Sequence, residues 1–143
     1  MNVQTDLDAD IGRVARETRV IAVVGMSLRE DRPSWGVARY LQSQGFRVIP
    51  VNPGHAGETI LDETCYATLT DIPKDAQVDM VDIFRRSEAV SAVVDEALAQ
   101  LPDLRVIWTQ LGVRDDAAAQ RAEDRGITVI QDRCPKIEFP RYL

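Results

Sequence analysis

One loop in this 143-residue chain gathers residue types suited to holding a phosphate. Gly25 is followed by Met26, Ser27, Leu28, Arg29, Glu30, Asp31 and Arg32, and then by Pro33, Ser34 and Trp35. A glycine permits close approach of backbone to a ligand, Ser27 offers a hydroxyl and an amide, and Arg29 and Arg32 can pair with phosphate oxygens. Amides around Ser34 and Trp35 would carry the positive end of a helix dipole. The same residues would equally make a solvated strand-to-helix turn. After Gly25 the next glycine is Gly36, so the G-x-G-x-x-G of a dinucleotide site is missing.

A second position narrows the ligand. An NAD site wants an Asp or Glu after its second strand to accept from the ribose hydroxyls. Here that stretch reads Pro50, Val51, Asn52, Pro53, with no acid between Ser43 and Gly57. The stiff Asn52-Pro53 turn suits an apolar wall for an adenine, or a plain rigid turn. Further on, Phe84 can wall a base or sit in the core, and Arg85 and Arg86 can face an anion or solvent. Asp79 and Asp82 form a candidate acid pair within a strand, with capped or loop-facing roles as the alternative. His55, the only histidine, stands on a loop beside Gly54 and reads as solvated. Cys134 precedes Pro135; without a nearby base it reads as structural rather than nucleophilic, and redox reaction with a thiol ligand is the remaining chemistry open to it.

Five apolar runs must position these groups: residues 20–25, 47–51, 78–83, 104–108 and 127–130. Between them lie amphipathic stretches beginning near Pro33, Ser87 and Asp115, and a short helix over 5–17 precedes the first strand. Gly45 is the expected terminator of the helix from Pro33. Residues 55–77 lack periodicity and read as loop with short irregular elements, and 132–143 as proline-punctuated coil. Alternating strands and helices predict a single α/β domain over 1–143, a Rossmann-like doubly wound parallel sheet of about five strands with helices on both faces. Right-handed crossovers suggest the order 3-2-1-4-5. The ligand crevice then lies at the carboxyl ends of the strands beside the first, which collects residues 25–34, Asn52 and Pro53, residues 84–87, Gln110 to Gly112, and 132–135.

Composition sets the limits. The chain is 45% hydrophobic and 28% charged with net charge −6, which argues against a broad nucleic-acid surface while leaving room for a small anionic ligand. Two cysteines, Cys65 and Cys134, make neither a disulfide framework nor a metal-binding pair. The amino-terminal residues lack a secretory signal, and no apolar run approaches the ~20 residues of a membrane span, so a cytoplasmic protein is expected.

In combination these segments resemble the small stand-alone CoA-binding protein family. The resemblance is carried by Val23-Val-Gly-Met-Ser27 with Arg32-Pro-Ser-Trp35, by Val48-Ile-Pro-Val-Asn-Pro53, by Tyr66 to Pro73, by Val78 to Glu88, by Trp108 to Gly112 and by Asp132-Arg-Cys-Pro135. Such domains are similar to the amino-terminal domain of the succinyl-CoA synthetase α subunit. The resemblance implies coenzyme A or an acyl-CoA in the crevice, with the pyrophosphate near Gly25, Met26 and Ser27, and Arg32, Pro33 and Ser34 beside it. It implies adenine toward Asn52, Pro53, Phe84 and Arg85, and the pantetheine end toward Gln110, Gly112 and Cys134. The synthetase's second domain and phosphorylated histidine have no counterpart in these residues, so binding without catalysis is expected. The alternatives are an accessory subunit of an acyl-CoA-using enzyme, with a protein partner, and an NAD(H)-binding redox sensor. The missing acid fits CoA, whose 3′-phosphate a carboxylate would repel.

Overall fold

The computed structural model describes residues 3–143. Helix α1 (Val3–Glu17) leads into β1 (Val20–Val24), α2 (Pro33–Ser43) and β2 (Arg47–Val51). A small hairpin of β3 (Thr59–Ile60) and β4 (Glu63–Thr64) and several 3-10 turns follow. Then come β5 (Met80–Ile83), α3 (Ser87–Gln100), β6 (Val106–Thr109), α4 (Asp116–Asp124), β7 (Thr128–Ile130) and α5 (Pro135–Glu138).

The long strands form one parallel sheet in the order β2-β1-β5-β6-β7. The α/β class and five-stranded parallel sheet are as expected from the sequence, but the third long strand lies on the opposite side of β1 from its expected place. Pro50 explains why. It stands within β2 and has no N–H to donate, which suits an edge strand and not a central one. At the outer edge of β2, Tyr66 forms an isolated bridge, its N–H donating to the Pro50 carbonyl. The irregular segment after β2 buries Leu69, Ile72 and Ala76 under the sheet and delivers β5 to the far side of β1. The winding therefore reverses between β1 and β5, and that gap is where such sheets bind ligands.

Strand alternation divides the core in two. Ile21, Val23, Met80, Val106 and Trp108 face α1, α2 and α5, while Ala22, Val24, Val81, Ile83 and Ile107 face α3 and α4. The carboxy-terminal segment is not coil. Pro135 sits in the first turn of α5, where its fixed φ is helical and its missing N–H is not needed. A 3-10 turn (Phe139–Arg141) follows, and Phe139 is fully buried between Phe46 and Trp108, at ring-centroid distances of 5.6 and 5.5 Å.

Candidate functional site

Gly25 ends β1 with φ +87°, and its position explains the residue type. A Cβ there would overlap the Phe84 carbonyl, because the ends of β1 and β5 pinch together: Phe84 N–H donates to Val24 O at 2.8 Å. Beyond the pinch the chain folds back. Met26 is fully buried in the core, so it presents no side chain to a ligand. The amides of Gly25 and Met26 donate to Val51 O, and that of Ser27 donates to Ser34 Oγ at 3.0 Å. Asn52 locks the same turn, its side chain donating to Met26 O at 2.8 Å and accepting from Gly54 N–H. These residues brace the loop from within.

The open surface lies one step outward. A cleft of about 1070 Å³ runs across the carboxyl ends of the strands and is lined by Arg32, Pro33, Phe84, Arg85, Gln110, Gly112 and Cys134, among others. These seven of the expected site residues converge there; Gly25, Met26, Ser27, Ser34, Asn52 and Pro53 lie outside its lining and shape the loop beneath it. Missed from the sequence are Lys136 and the apolar rim residue Ile137, which like Leu111 is more than half exposed. Lys136 Nζ lies 3.9 Å from where a Cβ on Gly36 would stand, so the glycine leaves room for an ammonium beside the start of α2.

The electrostatics favour an anion. Helices α2 and α3 both open on the cleft, and neither has a side-chain cap, so their first-turn N–H groups point at it, those of α2 with no acid in the first turn and those of α3 beside Glu88. Arg32, Arg85, Arg86 and Lys136 surround them, against Glu30, Asp31 and Glu88 on the rim. Asp31 is paired with Arg29 at 2.9 Å, which takes Arg29 away from ligand duty. Ser87 is the first helical residue rather than the cap, and its Oγ accepts from Arg114 N–H.

The far wall is laced together. Trp108 Nε1–H donates to Arg133 O, Arg133 N–H to Thr109 O, Asp132 N–H to Thr109 Oγ1, and Gly112 N–H to an Asp132 carboxylate oxygen at 2.7 Å. These bonds set the 110–112 turn against the segment carrying Cys134.

The two candidate acids are not a pair. Asp79 accepts from the Arg19 and Val20 amides at the opposite end of the sheet, beside a smaller recess of about 270 Å³. Asp82 is fully buried on the α1/α2/α5 side, with both carboxyl oxygens unpartnered among the described residues, and burial pushes its pKa well above the usual carboxylate range. His55 pairs with Glu58 at 2.7 Å and stands outside the cleft.

A parallel sheet that reverses its winding beside β1, with a cationic cleft over that reversal, defines a Rossmann-like α/β domain. This chain belongs to the CoA binding domain family, whose model matches residues 19–140. It is similar to the uncharacterized protein YneT of Bacillus subtilis (strain 168), 36% identical over 94% of this chain and 96% of that one. Among solved structures it is similar to a Thermus thermophilus protein at 34% identity, covering all of both chains with a TM-score of 0.83. A hypothetical protein from Pyrococcus horikoshii OT3 matches at 30% identity and TM-score 0.85, over 94% of this chain and 91% of that one.

Proposed function

We propose that this protein binds coenzyme A or an acyl-CoA in the cleft at the carboxyl ends of the strands and turns nothing over by itself. The observation that carries the reading is the convergence of two uncapped helix N-termini and four cationic side chains on one cleft, in a chain of net charge −6. Family membership supports it. The phosphates lie against the first turns of α2 and α3, between Arg32 and the Arg85–Arg86 pair. The base packs on half-buried Phe84, and the pantetheine arm runs past Gln110 and Gly112 toward Cys134. The absence of an acid after β2 disfavours an NAD ribose.

Isothermal titration with CoA, acetyl-CoA, NAD and ATP tests the reading. Heat with both CoA species and none with NAD is the expected result; silence with both CoA species would overturn it. Arg32→Ala should weaken CoA binding by about 1.5 kcal/mol, roughly tenfold, as one charge-assisted contact warrants. An unchanged affinity would remove Arg32 from the phosphate site.

A further inference from the structure

We propose, on the basis of that CoA reading, that Cys134 is a thiol–disulfide exchange site specific for coenzyme A. The Cys134 thiolate attacks one sulfur of a CoA disulfide seated in the cleft. A protein–CoA disulfide forms, the CoA–CoA sulfur bond breaks, and the second CoA leaves as thiolate and takes up the proton that Cys134 gave up. The oxidant is the CoA disulfide itself, and no further electron acceptor is needed. The protein ends oxidised by one sulfur bond, so a dithiol reductant must later free it.

The two cysteines differ in the way this chemistry requires. Cys65 is buried beneath the β2 edge, its thiol donating toward Asn52 O and Tyr66 O, and burial raises its pKa. Cys134 is 7% exposed and is one of the residues lining the cleft. Its backbone is pinned, with Ile137 and Glu138 N–H both donating to its carbonyl.

A second observation marks this end of the cleft for a ligand. Gln110 is more than nine-tenths buried, lines the same cleft, and its side-chain carbonyl oxygen has no hydrogen-bond partner among the described residues. A buried amide oxygen left unpaired costs stability unless something donates to it. The pantetheine arm carries two secondary amides just before its sulfur, and one N–H there would complete Gln110 once its carboxamide turns outward, since the oxygen itself has no open surface. The lacing of 108–113 to 132–133 keeps that acceptor and the thiol on one wall.

Reduced protein is incubated with CoA disulfide or with glutathione disulfide at equal concentration, followed by intact mass and peptide mapping. A single adduct of one CoA less two hydrogens is expected on the Cys134 peptide, reversed by dithiothreitol. It should form at least about tenfold faster than the glutathione adduct, because the cleft raises the local concentration of its own disulfide. A CoA thioether, which lacks a free thiol, should suppress it. Equal rates for the two disulfides, or an adduct on Cys65, would overturn the assignment of Cys134. Absence of any adduct while the thioether still binds by calorimetry would overturn it too, leaving the CoA-binding reading intact. Absence of both adduct and binding would take that reading down as well.

Discussion

Gly25→Ala is expected to destabilise the fold by about 3 kcal/mol, from left-handed backbone strain added to overpacking against a neighbouring strand. That is a large share of the roughly 5–15 kcal/mol that keeps an ordinary domain folded. The pinch between β1 and β5 leaves no space for a methyl group, because the obstacle is the Phe84 carbonyl and not a side chain that could swing away. Gly45→Ala separates the two contributions. Gly45 has φ +97°, but a methyl group added there would meet nothing within 4 Å, so it should cost only about 1 kcal/mol of strain. Urea denaturation of both variants decides the point. Equal losses would mean that the close approach at Gly25 contributes nothing. Any folded Gly25→Ala protein should also lose CoA affinity, since Phe84 and Arg85 must move.

Asp82→Val should have an effect of similar size and opposite sign. A fully buried carboxyl without a hydrogen-bond partner costs about 1–3 kcal/mol, and valine fills the site between Val23 and Trp108 with apolar surface. The pH dependence follows from the raised pKa. The folded state holds a proton that the unfolded chain releases near pH ~4. Asp82's contribution is therefore fully present below that pH and is lost as pH rises through the folded pKa. Denaturation of wild type and Asp82→Asn across the acid-to-neutral range should show the variant gaining on wild type as pH increases. A difference that stays constant with pH would show that Asp82 has an ordinary carboxylate pKa.

Much of the architecture was legible because each signal was local. Five apolar runs, Pro33 at a helix start and Gly45 at a helix end required only periodicity and backbone geometry. Strand order was harder, since a fully apolar parallel strand says nothing about its neighbours. Pro50 did carry the needed hint, as a residue without a donor belongs at an edge. The tail was misread because two prolines in a short stretch look like breakers, although Pro135 sits where a helix tolerates one.

In the site, the residues on the turns at the strand ends (Arg32, Arg85, Gln110, Gly112) were placed where the cleft is. Met26 and Asn52 were not, because a fold-back after Gly25 turns one into the core and ties the other to its own loop. Lys136 could have been found from its spacing two residues after Cys134, just beyond the 132–135 segment assigned to the crevice; its place opposite the small Gly36 emerges only on folding. Asp82 shows a deeper limit: strand alternation puts it inside, and only the packed neighbours reveal that no described residue donates a hydrogen bond to it.

The buried ring of Phe139 has one more consequence. It acts as a stopper in the core, and the short segment that seats it also bears Cys134 and Lys136. Sealing the protein and erecting one side of its binding surface are thus a single event. Occupancy at the cleft must then resist fraying of the chain's end, and the amides of Ile137, Glu138 and Tyr142, each held by a nearby carbonyl, become reporters of whether the protein is loaded.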